Sequence, residues 1–166
     1  GRKQRTFLAP APRIDPRRPK RDVKDEYGDM KDDGETWVAP SLVLESGQIM
    51  QRVPVRYNVY GKLNARRDNV IFVCHALTGN SALHTWLGGL LGSGKPFDTD
   101  RFCVVCANML GSCYGTCGPT SVNPATGRPY GKDFPAVTLR DTVALHIKLL
   151  RDGLKVSSVR SVVGGS

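Results

Sequence analysis

Two short runs in this chain carry no polar side chain beyond cysteine: Val70-Ile-Phe-Val-Cys74 and Cys103-Val-Val-Cys-Ala107. Each is strand-sized, does not alternate, and is entered from polar residues (Asn69, Arg101). Such a run reads as a strand buried on both faces, the pattern of a central strand in a parallel sheet. A sheet of that kind must be covered above and below, and the sequence supplies covering material. Thr138 to Asp152 has helical spacing, with Leu139, Val143, His146, Ile147, Leu149 and Leu150 expected on one face, Thr138 as N-cap and Gly153 as the stop. Val159-Arg-Ser-Val-Val163 is a third strand, running into Gly164-Gly165-Ser166. Upstream, Ser41 to Gly47 reads as a strand ending in a turn. Val53 to Tyr60 alternates as a half-buried strand, with Pro54 suited to an edge or a strand start. Strands separated by helices or long connections imply an α/β fold with a mostly parallel sheet.

The chain has 166 residues, 40% of them hydrophobic and 23% charged, enough for one domain with a core. Residues 36–166 are expected to form that domain. Residues 1–35 hold Pro10, Pro12, Pro16 and Pro19 among Arg and Lys, with no hydrophobic period, and read as a disordered tail. Its first part is rich in arginine and poor in acids, so a remnant of an organelle-targeting segment is the competing reading. The chain begins at Gly1, and the expectation is that the original N-terminus is missing or processed. No run approaches the roughly 18–20 apolar residues of a membrane span, and no secretory segment is visible. The formal net charge is +9. Residues 1–24 carry nine basic and two acidic side chains, and the acids gather between Asp25 and Glu35. A basic surface attracts nucleic acid or an anionic small molecule such as coenzyme A. No base-reading or aromatic-interleaved motif supports the former, so no nucleic-acid or membrane partner is expected. Five cysteines, an odd number with three in or beside apolar runs, argue against a disulfide framework and for a reducing, cytoplasmic setting.

Ligands of parallel α/β sheets sit beyond the carboxyl ends of the strands. Three segments follow such ends: Cys74 to Gly79, Asn108 to Gly111 and Gly164 to Ser166. They are expected to converge. A β-branched strand running into Gly-Gly-Ser is half of a nucleophile elbow, where the crowded turn demands small neighbours. Ser166 is therefore the candidate nucleophile; a flexible tail or linker is the competing reading of the same three residues. A short His-Ala loop after a central strand supplies backbone donors to an oxyanion hole. Leu77, two positions after His75, is the expected donor, with the residue after Ser166 as the second. His75 itself is expected to fix the loop by hydrogen bonding, because in this kind of fold the general base follows the nucleophile in chain order. Asn108 to Pro119 is a glycine-rich loop without P-loop spacing, whose backbone could approach a ligand or simply turn. Cys103 and Cys106 show a Cys-x-x-Cys spacing, but on a strand they point to opposite faces, which opposes a metal or redox pair. They read as buried small hydrophobes, and no metal site is expected. His84 and His146 read as surface or packing residues.

Taken together, these residues resemble a known family. Leu44-Glu-Ser-Gly47, Tyr60-Gly-Lys-Leu-Asn64, Cys74-His-Ala-Leu-Thr-Gly79, Asn108-Met-Leu-Gly111, Asn123-Pro-Ala-Thr-Gly127, Pro129-Tyr-Gly131, Thr138-Leu-Arg-Asp141 and Val162-Val-Gly-Gly-Ser166 are similar to the homoserine O-acetyltransferases. The similarity runs from about residue 42 to 166. It implies an α/β-hydrolase fold, of which the chain would be the N-terminal half, ending at the nucleophile.

The resemblance further implies a ping-pong reaction. Ser166 would take the acetyl group from acetyl-CoA, a co-substrate rather than a tightly bound cofactor. A small hydroxy-amino acid, homoserine, would then accept it, in methionine biosynthesis. By the same carry-over Leu77 N–H is an oxyanion donor, Thr78, Asn108 and Gly111 meet substrate, and the catalytic aspartate and histidine lie downstream of Ser166. A homodimer is compatible with it. The sequence departs from the family pattern at Asn80 to Trp86, where His84 stands for a family histidine, and at Cys113 to Cys117. Relatives acting on serine or deacetylcephalosporin, using a succinyl donor, or hydrolysing esters would look similar over this part, and the fragment alone is expected to be inactive.

Overall fold

A computed structural model describes residues 33–165, together with two short strands, β1 (Lys24–Asp25) and β2 (Gly28–Asp29), which pair antiparallel. The tail expected over residues 1–35 lies largely outside the described residues.

Five further strands form one sheet. They are β3 (Glu35–Val43), β4 (Ile49–Tyr60), β5 (Val70–Cys74), β6 (Cys103–Ala107) and β7 (Val159–Gly164), in the order β3-β4-β6-β5-β7. The apolar runs of β5 and β6 lie side by side and parallel, with Val70 opposite Cys103 and Val73 opposite Cys106. Alternate side chains enter two separate cores. Val70, Phe72, Cys103, Val105 and Ala107 join one; Ile71, Val73, Val104 and Cys106 join the other with Leu83 and Leu91. The absence of polar positions in these strands thus reflects burial on both faces. β7 is parallel to β5 and forms the edge of the sheet.

The other half of the sheet is antiparallel. β3 and β4 form a hairpin closed by hydrogen bonds from the Gly47 amide to Leu44 O and from the Leu44 amide to Gln48 O. β4 then pairs antiparallel with β6, Tyr57 opposite Ala107. Two of the four strand pairings are therefore parallel, and the parallel part is β6-β5-β7. Pro54 is neither at an edge nor at a strand start: it pairs with Val38 on one side, and on the other its carbonyl accepts from the Cys117 amide at 2.8 Å. The glycine-rich loop, not a strand, flanks β4 there, so no ladder bond is lost to the missing proline N–H on that side.

One helix covers each core. α1 (Leu83–Trp86) is a single turn whose Leu83 is buried. α2 (Leu139–Lys148) continues through a π-turn, Leu149–Gly153, and stops at Gly153 as expected. Thr138 caps α2 within a capping box: its hydroxyl accepts from the Asp141 amide, and the Asp141 carboxylate accepts from the Thr138 amide. The carboxylate also accepts from the Glu45 amide in the β3–β4 turn at 2.8 Å, and the Thr138 hydroxyl donates to Glu45 Oε2 at 2.5 Å. These ties set the rotation of α2, and they correct the expected inner face. Asp141, Thr142, Leu145, His146, Leu149 and Leu150 face inward, whereas Leu139, Val143 and Ile147 are exposed. Turning Asp141 toward the hairpin carries the 139-143-147 row out of the core.

Burial would raise the Asp141 pKa, but the Thr138 and Glu45 amides and the Thr138 hydroxyl outweigh it and hold the carboxyl below its ordinary value. Thr138→Ala is expected to lower stability by about 1 kcal/mol. Asp141→Ala, which takes the acceptor from two part-buried amides, should cost about 1–3 kcal/mol. Urea unfolding of the two variants against the unsubstituted protein checks the order.

Candidate active site

The carboxyl ends of β5, β6 and β7 lie on one edge of the sheet, and the described parts of the three segments singled out from the sequence meet there. Cys74 pairs with Gly164, and a Cβ on Gly164 would stand 3.1 Å from the Cys74 Cβ. The strand that leads to the candidate nucleophile therefore runs tight against its neighbour at Gly164, while a Cβ at Gly165 would meet nothing within 4 Å. Ser166 itself lies outside the described residues.

The loop after β5 is held by its own carbonyl. Ala76 O accepts from the Gly79 amide at 2.8 Å and lies 2.9 Å from His75 Nδ1. Because the carbonyl only accepts, Nδ1 carries the proton and donates. His75 thus fixes the loop, as expected of it. Among the described residues, no acceptor takes the amide of Leu77 or Thr78. The Leu77 residue is 94% exposed. A free backbone donor on a braced turn, at the end of a central strand, is the geometry of an oxyanion donor.

The loop after β6 is built around two contacts. Gly111 takes φ of 87°, a conformation that disfavours a side chain, and its amide donates to Cys117 O at 2.7 Å. Asn108 is 2% exposed, and its side-chain amide is committed inside the protein: Oδ1 accepts from the Ser81 amide at 2.7 Å, and Nδ2 donates to Tyr114 O at 2.6 Å. Its backbone is equally occupied, with the N–H donating to Arg56 O at 2.9 Å and the carbonyl accepting from His146 Nε2 at 3.1 Å. Ser81 Oγ in turn donates to Asn58 Oδ1 at 2.8 Å. Neither Asn58 nor Ser81 emerged from the sequence. The signal for Asn58 was a polar residue in the half-buried strand β4; Ser81 offered none.

Asn58 Nδ2 also donates to Asp33 Oδ1 at 3.0 Å. Asp33 Oδ2 lies 3.3 Å from His84 Nε2, and His84 Nδ1 lies 2.9 Å from the Tyr60 hydroxyl. His84 is thus a packing residue that links β4 to α1. Burial above all, opposed by the His84 amide, pushes the Tyr60 hydroxyl up to about 12. Tyr60 also lines an open cleft of about 810 Å³ with Lys62, Leu91, Thr99 and Asp100. That cleft lies beside the end of β4, where Tyr60 pairs with Val104 at the start of β6, away from the carboxyl edge.

All five cysteines are free. Cys103 and Cys106 are 1% and 0% exposed and lie in opposite cores. Burial, then the neighbouring Cys74, push the Cys106 thiol up to about 12 despite an opposing hydrogen bond from the His75 backbone, so it is an inert packing group. Among the described residues, no group of three or more His, Cys, Asp or Glu is placed to hold a metal, and no helix is long and apolar enough to cross a membrane.

No family model matches the chain. Curated relatives do. Proteins named homoserine O-acetyltransferase from Symbiobacterium thermophilum and Nostoc punctiforme are each 52% identical, over 75% and 74% of this chain and 35% and 34% of their own lengths. Among solved structures, a homoserine O-acetyltransferase from Bacillus anthracis matches with a TM-score of 0.71 and 30% identity over 80% of this chain and 39% of that one. Esterase E22 matches with a TM-score of 0.70 and 34% identity over 80% of this chain and 40% of that one. The chain thus has the α/β-hydrolase fold. In sequence it is a relative of the homoserine O-acetyltransferases and spans about a third of the length of the relatives it matches.

His146 is buried against Phe72, with ring centroids 5.3 Å apart. Burial lowers its pKa from 6.5 to about 4, only partly opposed by its hydrogen bond to Asn108. An unfolded chain takes up this proton below pH 6.5, and the folded one only near 4. The unfolded state therefore binds more protons in that window, and stability falls as the pH falls through it, by on the order of a few kcal/mol. Asp141, held below its ordinary 3.8, adds a further loss at lower pH. Replacing His146 by Gln, which keeps a donor for Asn108, should flatten the decline between pH 6.5 and 4 in equilibrium unfolding.

Proposed function

We propose that this chain carries the nucleophile and one oxyanion donor of a homoserine O-acetyltransferase. The observation behind this reading is the unpartnered Leu77 amide on a braced turn, at the same sheet edge as the Gly164 strand end that leads to Ser166. Relatives of that name, about half identical in sequence, support it.

In this reading Ser166 Oγ gives its proton to a histidine base supplied by the rest of the enzyme and bonds to the acetyl carbonyl of acetyl-CoA. The carbonyl oxygen becomes an oxyanion facing the Leu77 amide. The C–S bond then breaks, and the thiol of coenzyme A leaves with the proton. The homoserine hydroxyl next loses its proton to the same base and attacks the acetyl-serine, and the bond to Ser166 Oγ breaks as that oxygen is reprotonated. Thr78 and the Gly111 backbone border the substrate, while Asn108 acts from within. Acetyl-CoA is a passing co-substrate, and the basic character of residues 36–166 favours its phosphates. The reaction would serve methionine biosynthesis in the cytoplasm, with a homodimer as its assembly and neither nucleic acid nor membrane as a partner.

The similarity to esterase E22 favours a second reading, in which water rather than homoserine takes the acyl group. Acetyl-CoA with homoserine, compared with p-nitrophenyl acetate alone, separates the two: a transferase makes O-acetylhomoserine faster than it releases acetate. In either case Ser166→Ala in the full-length enzyme should abolish the acetyl-enzyme, a loss of about 10⁴-fold or more in turnover. Mass spectrometry after mixing with acetyl-CoA checks it, and an acetyl adduct persisting in the variant would remove Ser166 from the role.

A further inference from the structure

The side chain of Asn108 hydrogen-bonds to the backbone of two loops. Its acceptor holds the Ser81 amide, two residues past the Ala76–Gly79 turn, and its donor holds the Tyr114 carbonyl in the glycine-rich loop. Both partners are backbone groups, so the bridge is insensitive to the residue types at 81 and 114 and sensitive to the one at 108. Only a short side chain with a donor and an acceptor on one planar group can make both bonds. Aspartate lacks the donor, leucine lacks both, and serine is too short to span the gap. The bridge is also backed from behind. His146 on α2 donates to the Asn108 carbonyl, the Asn108 amide donates to β4, and Ser81 is tied to Asn58. Asn58, Ser81, Asn108 and His146 are all buried. Such a cluster, hydrogen-bonded in a low-dielectric interior, favours one arrangement of the loops it joins.

We infer that Asn108 is a positioning residue for acyl transfer: its side-chain amide fixes the spacing between the 75–81 turn and the 109–118 loop, and so fixes where the Leu77 N–H points. This rests on the function proposed above and adds to it a group that never touches substrate.

The test uses the full-length enzyme and the burst of p-nitrophenol from p-nitrophenyl acetate, whose amplitude counts working sites and whose rate constant reports acylation at each. Asn108→Asp keeps the shape and the acceptor for Ser81, and sets an oxygen against the Tyr114 carbonyl. The burst rate constant should fall about 100-fold, as when a positioned group moves by about 1 Å, with the amplitude retained. Asn108→Ala, which leaves room for water to satisfy both loops, should fall about tenfold, with KM for the ester changed by no more than about threefold. A merely structural role would lower the amplitude and leave the rate constant per site unchanged. That result, or the failure of both variants to fold, overturns the inference while leaving the transferase reading intact. Absence of any burst in the unsubstituted enzyme overturns both.

Discussion

Two adjacent strands whose side chains are buried on both faces leave no place for polar chemistry along their length. In β5 and β6 every position but Cys74 is buried, and the side chains are divided between two cores. Hydrogen-bonding groups are therefore forced to the strand ends, where the backbone leaves the sheet and must find partners. At the carboxyl end those needs are met by Ala76 O, by the Asn108 amide and by the turns that follow, and the arrangement leaves the Leu77 N–H unused. The candidate oxyanion donor is thus a by-product of how the sheet ends. Ala76 O and Asn108 brace the loop, while the Leu77 and Thr78 amides and the buried His75 Nε2 have no partner among the described residues.

The parts of this architecture that depend on local pattern were legible in the sequence. The apolar runs, the alternation of β4, the Thr138 cap and the stop at Gly153 each follow from side-chain chemistry at short range. The opposite orientation of Cys103 and Cys106 follows from strand periodicity alone. What depends on distant partners was not legible. The inward face of α2 is set by Asp141 meeting the Glu45 amide, 96 positions away in sequence, and this outweighs the apolar row at 139, 143 and 147. Pro54 looked like an edge residue because nothing local announces that a loop, rather than a strand, lies beside it.

The candidate site divides in the same way. The loops were found because strand ends followed by Gly, His and Asn are conspicuous. What braces them was missed, because Ser81 and Asn58 are ordinary residues until the fold sets them against Asn108. His146 unites the two levels. It sits on the inner face of α2 as packing against Phe72, and it also holds the carbonyl of the residue that bridges the loops. Its burial keeps it uncharged and so able to pack, and the same burial makes the helix a weak point on acidification.

The position of β7 has a consequence of a different kind. It is the outermost strand on its side of the sheet, every residue of it is exposed, and Val159, Val162 and Val163 are among the exposed apolar side chains. Among the described residues, such a strand turns the amides and carbonyls that β5 does not take to the outer side of the sheet, where a further strand can add to it. The strand that leads to the candidate nucleophile is thereby also the seam along which the sheet can grow.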